Sequence, residues 1–209
     1  MKRILIMLVL AFTAIVFVFS QFKVGPKAGV NVSKLNYENQ NLSTKNGYGF
    51  QIGGFVKRDF NPSFFAQAEL MYAQNRSSFD VDIVEFGGSI HLGGYTITAN
   101  YLLIPVMGGY KFGNSGFYVE AGFQPAIFLD SRYHVKNKVV DVDVKKNRFE
   151  DWNSVVVSMV GGFGYKFKSG LAFSARYCHG LTNNTHFTGG IESMERSLQF
   201  SVAYDLWSF

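Results

Sequence analysis

Along eight stretches of this chain, apolar and polar residues alternate with a period of two, which is the spacing at which successive side chains of a strand reach opposite faces. In the first stretch Phe22, Val24, Pro26, Ala28, Val30 and Val32 share one face, opposite Lys23, Gly25, Lys27, Gly29, Asn31 and Ser33. Tyr48, Phe50, Ile52 and Val56 form the apolar face of a less regular second stretch, which Gly53-Gly54 is expected to bulge or bend. In the third, Phe64, Ala66, Ala68, Leu70 and Tyr72 oppose Gln67 and Glu69. In the fourth, Leu102, Ile104, Val106, Tyr110 and Phe112 oppose Lys111; in the fifth, Phe117, Val119, Ala121, Phe123, Ile127 and Leu129 oppose Glu120 and Gln124. The last three place Ser154, Ser158 and Lys166, then Ser174 and Arg176, then Gln199, Ser201 and Asp205 opposite their apolar residues.

A Lys or Arg on the lipid face of a membrane barrel costs roughly 2 to 4 kcal/mol at mid-depth. All of Lys27, Glu69, Lys111, Glu120, Lys166, Arg176 and Asp205 avoid the apolar face. The pattern therefore predicts an all-β chain, an eight-stranded antiparallel up-and-down transmembrane β-barrel with these seven residues and Lys57 turned into its interior. An eight-stranded bore is just wide enough for side chains to fill, and buried charges demand partners. A paired network that closes the lumen is expected, with Glu69, Glu120, Lys111 and Arg176 as its members; barrel shear, which the sequence does not fix, decides whether they meet.

Turn-forming residues mark short connections at 60–63, 113–116 and 168–170, and longer polar ones fall at 36–46, 79–94, 131–151 and 181–194. Long and short alternate strictly. In outer-membrane barrels short turns are periplasmic and long loops extracellular, so both termini are expected on the periplasmic side. Phe22, Phe60, Phe64, Phe65, Tyr110, Phe112, Phe117, Tyr118, Tyr165, Phe167, Phe173, Tyr204, Trp207 and Phe209 lie near the turn-side strand ends, where an interfacial aromatic girdle belongs.

The ends of the chain add a location. Lys2 and Arg3 precede an apolar run from Ile4 to Phe19, the form of a secretory leader, so residues 1–20 read as a signal peptide and 21–209 as the outer membrane β-barrel domain. The formal charge of +5 falls to +3 without Lys2 and Arg3, a scattered excess that indicates no nucleic-acid partner. The one cysteine, Cys178, cannot form an intramolecular disulfide and reads as an inward filler near the rim. Gly161-Gly162-Phe163-Gly164 superficially resembles a nucleotide loop but lies inside an alternating strand. His91, His134, His179 and His186 lack ligand spacing, and with no catalytic motif and no cleft for Glu69 and Glu120 the reading is of no enzyme, no metal and no cofactor.

Several short motifs carry a resemblance: Gly25-Pro26-Lys27-Ala28-Gly29-Val30-Asn31, Tyr101-Leu102-Leu103-Ile104-Pro105-Val106 followed by Tyr110-Lys111-Phe112, Phe117-Tyr118-Val119-Glu120-Ala121-Gly122, Ala175-Arg176-Tyr177, Gly180-Leu181-Thr182-Asn183 and Gln199-Phe200-Ser201-Val202-Ala203-Tyr204. Together they resemble the PorT-like outer-membrane β-barrel family of Bacteroidetes-type bacteria, over essentially the whole mature chain. The resemblance implies a small eight-stranded barrel and says little of activity. The family often stops at an aromatic that continues the alternation, whereas here Leu206 ends the pattern and Trp207-Ser208-Phe209 extends it.

The third long connection carries Arg132, Lys136, Lys138, Lys145, Lys146 and Arg148 among acidic residues, a basic face suited to lipopolysaccharide phosphates or an acidic partner; alternation over 139–144 extends the strands there as a hairpin. The leading reading is a non-enzymatic, monomeric outer-membrane barrel with a structural or interaction role through extracellular loops. Its partners would be outer membrane lipids, barrel-assembly machinery during insertion, and an extracellular or periplasmic protein. Two rivals stay open: a small gated channel, and a soluble exported lipocalin-like ligand-binding barrel with its apolar face inward. Against the last stand the loop alternation and a polar face rich in Gly, Ser and Lys, which would cover a soluble exterior poorly. If the leader is removed as expected, intact mass and N-terminal sequencing of the exported protein will show a mature chain beginning at Gln21; retention of Met1 would overturn that assignment.

Overall fold

In the computed structural model, residues 22–37, 47–85, 88–136, 141–146, 154–182 and 193–208 are described. Their strands are β1 (Phe22–Tyr37), β2 (Gly47–Asp59), β3 (Phe64–Glu85), β4 (Gly88–Leu103), β5 (Val106–Lys111), β6 (Phe117–Lys136), β7 (Asp141–Lys146), β8 (Val155–Lys166), β9 (Leu171–Gly180), β10 (Ser193–Tyr204) and β11 (Trp207–Ser208). All pair antiparallel with their neighbours, and β10 returns to pair with β1, closing a barrel of eight staves. β4 and β5 form one stave, broken at Ile104-Pro105, where proline lacks an N–H; the Glu69 N–H donates to the Pro105 carbonyl and the Ile104 N–H to that of Pro125, so the wall stays bonded. β10 and β11 form another, and β7 is additional, paired only to the outer part of β6.

The stagger of the barrel follows from its registers. Stepping sideways from Lys166 through Ala172, Ala203, Lys27, Gly53, Met71, Leu103 and Ala126 returns to β8 at Val156, ten residues from the start. Ten residues of stagger over eight staves tilts the strands by roughly 40° and sets the backbone cylinder at about 16 Å across. Side chains entering from opposite walls meet in the middle of such a bore.

The two faces separate as the alternation predicts. Val30, Leu70, Phe123, Phe163 and Phe200 are exposed on the outer wall, while Lys27, Glu69, Glu120 and Arg176 are buried inside it. No helix among the described residues is long and apolar enough to cross a membrane. On the outer wall at the turn-side ends, Phe64, Tyr110 and Phe112 form one edge-to-face series and Phe117, Tyr165, Phe167 and Phe173 another, with centroids 4.7 to 6.0 Å apart. Phe65 and Tyr118 do not belong to this girdle. They have the parity of Glu69 and Glu120 and are buried in the lumen, packed edge to face at 5.7 Å.

Other expectations are corrected. Gly53-Gly54 produces no bulge: β2 pairs continuously with β1 and β3 through both glycines. Residues 79–94 are mostly strand, not loop, because β3 and β4 run on as a hairpin from Phe79↔Tyr95 to Glu85↔Gly88, with one register shift at Val81/Asp82. The period of two in fact continues there, with Phe79, Val81 and Ile83 against Asp80 and Asp82 and with Ile90 and Leu92 against Ser89 and His91, but the Asp, Ser and Gly content outweighs it and reads as a connection. β7 forms the expected hairpin with β6. Trp207-Ser208 is part of the closing seam: four residues of β1 from Val24 to Lys27 face five from Ala203 to Trp207, and this bulge brings β11 back onto β1. The leader, Phe209, and most of 36–46 and 181–194 lie outside the described residues.

Ala121 faces outward on β6, between Gly108 and Gly161 on the same rung. Ala121→Arg is expected to cost about 2 to 4 kcal/mol of stability in bilayers and to reduce insertion. Urea unfolding in vesicles will measure it, and a cost below that of inward Ser158→Arg would take Ala121 off the lipid wall.

Candidate functional site

Arg176 on β9 stands diametrically across the barrel from Glu69 on β3, and Lys27 on β1 across from Glu120 on β6; the narrow bore brings all four together at one level. Arg176 donates from Nη1 to Glu69 Oε2 at 3.0 Å, from Nη2 to Glu69 Oε1 at 2.6 Å, and from Nε to Glu120 Oε1 at 2.7 Å. Lys27 Nζ donates to both Glu69 oxygens at 2.8 and 3.1 Å, and Gln67 Nε2 adds a 2.6 Å bond to Oε1. Two cations and two carboxylates cancel in charge. The planar fork of Arg176 presents two parallel N–H groups to the Glu69 carboxylate and its Nε–H to Glu120, a fixed geometry that the point charge of a lysine lacks. Gly162 makes room for this crossing. It lies opposite Arg176 in the ladder, and a Cβ there would fall 2.8 Å from Arg176 Cγ.

Towards the turn-side mouth, Lys57 Nζ sits 3.7 Å from the centre of the Phe65 ring and 5.1 Å from that of Tyr118, a cation held by aromatic faces. The tip of the Phe65 ring occupies the space above Gly109, where a Cβ would fall 2.1 Å from its Cζ. Asp59 joins Lys23 at 2.7 Å and Lys111 at 2.9 Å, and Lys166 pairs with Asp205. On the other side of the quartet, Gln51 bonds Ser201 at 2.9 Å, Gln199 bonds Gln124 at 3.3 Å and Asn31 bonds Asn75 at 3.3 Å. Asn31, Asn75, Gln124 and Gln199 border a cavity of about 20 Å³, room for a water molecule and not for a hydrated ion. Met71, Ala73, Ala99, Tyr101, Leu103, Ala126 and Val156 form a buried apolar layer at this end, and Cys178 packs with Met107 and Val160.

Of the seven interior residues, then, Lys27, Glu69, Glu120 and Arg176 converge, Lys111 is drawn off by Asp59, and Lys166 and Asp205 form a pair of their own. Sequence reading missed Asp59, although it shares the parity of Lys57. It also missed Lys23 as a network member and the inward apolar layer. In the hairpin, Arg132 is exposed and pairs in register with Lys145, Ser131 with Lys146 and Lys136 with Asp141; Lys138 and Arg148 lie outside the described residues. Among the described residues no three His, Cys, Asp or Glu side chains converge as metal ligands.

Residues 19–186 match the family described as outer membrane protein beta-barrel domain. The fold is similar to that of Ail, the attachment invasion locus protein of Yersinia pestis, solved with the heparin analogue sucrose octasulfate: TM-score 0.50 and 11% identity, covering 88% of this chain and 98% of that one. Neisserial surface protein A is likewise similar, with TM-score 0.50 and 11% identity over 88% and 97% of the two chains. Identity this low carries the likeness to the fold alone. No curated protein matches the chain in sequence.

Removing one partner of a buried ion network leaves an uncompensated charge, at a cost of about 3 to 5 kcal/mol. Arg176→Ala is expected to lose that much in urea unfolding in detergent micelles, and Gly162→Val to destabilise by pushing the guanidinium aside. Wild-type stability in Arg176→Ala would show that the quartet holds nothing together.

Proposed function

Because the chain belongs to the outer membrane protein beta-barrel domain family, we propose that it is a non-enzymatic integral barrel with a closed lumen. Its role is structural or interactive and is exercised through the connections at the end away from the short turns. The observation that carries this reading is the quartet: the side chains of Lys27, Glu69, Glu120 and Arg176 span the bore in hydrogen-bonded contact and are almost fully buried. A catalytic acid or base must reach its substrate, and Glu69 and Glu120 are committed to cations inside a filled tube. In this proposal residues 1–20 are a removed leader, assembly machinery inserts the chain, the barrel is monomeric, the short turns with their aromatic girdle are periplasmic, and the hairpins β3–β4 and β6–β7 project outside. The short motifs favour a PorT-like group within the family.

A small gated channel is the second reading, favoured by the fact that the obstruction is made of side chains rather than of a backbone plug. The lipocalin-like alternative is overturned by the orientation of the faces, since the wall exposes Val30, Phe123 and Phe163 and buries the charges.

Single-channel recording in planar bilayers separates the first two. The unmodified protein is expected to conduct little or nothing, and a Glu120→Ala, Arg176→Ala double variant to open brief or steady currents. Large, steady conductance from the unmodified protein would replace the closed barrel by the channel.

A further inference from the structure

Among the described residues, the cations of the lumen and its turn-side mouth are accounted for. Lys23, Lys27, Lys111, Lys166 and Arg176 are in ion pairs, and Lys57 and Arg58 lie against aromatic rings. Arg76 and Arg132 are different. Both are exposed, and neither forms an ion pair with a residue whose side chain is described. Both point away from the lumen: Arg76 has the parity of exposed Tyr72, and Arg132 follows the fully buried Ser131.

Their height can be counted. Arg76 lies twelve residues beyond the girdle residue Phe64 on β3. At ~3.3 Å per residue and a tilt near 40°, that is a rise of about 30 Å, just past an apolar band ~25 Å tall. From Phe117 to Arg132 on β6, less the one residue bulged opposite Asn100/Tyr101, the same count gives about 35 Å.

The registers Arg76↔Thr98 and Thr98↔Arg132 put the two guanidinium-bearing positions on one rung, two strand spacings or roughly 10 Å apart, with Lys145 opposite Arg132. The rung beneath holds Gln74, Asn100 and Asp130. Asn100 Oδ1 accepts from Tyr72 Oη at 2.9 Å and Gln74 Nε2 at 3.1 Å, and Asn100 Nδ2 donates to Asp130 Oδ1 at 2.7 Å, which engages the carboxylate of that rung. Below that the wall is apolar, with Tyr72, Leu102 and Leu129. One rung further out, Asp143 opposes His134. The outer face thus passes from apolar to amide to guanidinium, the order in which a glycolipid presents acyl chains, sugar and phosphate.

We infer that Arg76 and Arg132, flanking Thr98, form a binding site for the phosphates of an anionic glycolipid of the outer leaflet. The inference rests on the proposed orientation with the hairpins outside. Arginine takes phosphate oxygens bidentately, and the continuous apolar wall below favours a lipid over a soluble polyanion.

The test uses the full mature barrel in phosphatidylcholine nanodiscs containing diphosphoryl lipid A, followed by detergent release and native mass spectrometry of retained lipid. The unmodified protein is expected to retain lipid A, Arg76→Gln with Arg132→Gln to retain about tenfold less, the Lys double variant to fall between, and Lys168→Gln at the turn-side end to match the unmodified protein. Equal retention by the Gln double variant overturns the site, as does equal retention of dephosphorylated lipid A. Displacement of lipid A by an equal concentration of inorganic pyrophosphate overturns the lipid as its occupant. A difference in gel migration between boiled and unboiled samples reports the barrel separately: its absence in the unmodified protein would remove the barrel reading, whereas altered lipid retention with migration intact concerns only the arginines.

Discussion

A guanidinium that must satisfy two carboxylates from two different staves, one of them directly across the bore, fixes much of this molecule. Arg176 is held to Glu69 and Glu120, Glu69 is held in turn by Lys27, and each of the four comes from a different stave. None can be removed alone without stranding a charge in a medium that water does not reach. The wall accommodates this arrangement locally. Gly162 clears the path of the arginine, and small or polar side chains such as Ser201, Gln51 and Gln124 fill what remains of the bore.

The interior is layered along its axis. At the turn-side mouth cations meet Asp59, Asp205 and the rings of Phe65 and Tyr118; at mid-depth lies the neutral quartet; beyond it amides and apolar side chains share one level, Asn31, Asn75, Gln124 and Gln199 bordering the same small cavity as Tyr101, Leu103, Ala126 and Val156. The described part of the bore is thus filled at three levels, each by a different set of side chains. Outside, the same strands carry lipid-facing residues over a band of limited height and then change character at Asn100 and Asp130, where both β4 and β6 also break register.

Which side chains face inward was legible from alternation, since a period of two leaves only two choices per strand. Glu69, Glu120 and Arg176 were found that way. Which of them touch was not legible, because contact across the bore depends on the stagger, and the stagger is the sum of eight registers between segments far apart in sequence. Lys111 illustrates this: it has the right parity, yet it stands near the mouth, where Asp59 captures it. Phe65 and Tyr118 were misplaced when position near a turn was allowed to outweigh parity, and Arg76 was passed over because it stands on a strand that read as ending in loop.

The ten-residue stagger has a consequence for how the chain finds its native pairing. Sliding one seam strand by two residues keeps every apolar side chain on the lipid side, so the alternation that specifies the wall is blind to that error. The quartet is not blind. A two-residue slip between β10 and β1 would move Lys27 by about 7 Å along its strand relative to β9 and separate it from the level of Arg176. The ionic contacts, which join positions 42, 56 and 107 residues apart, therefore act as a gauge that only one closure of the cylinder satisfies.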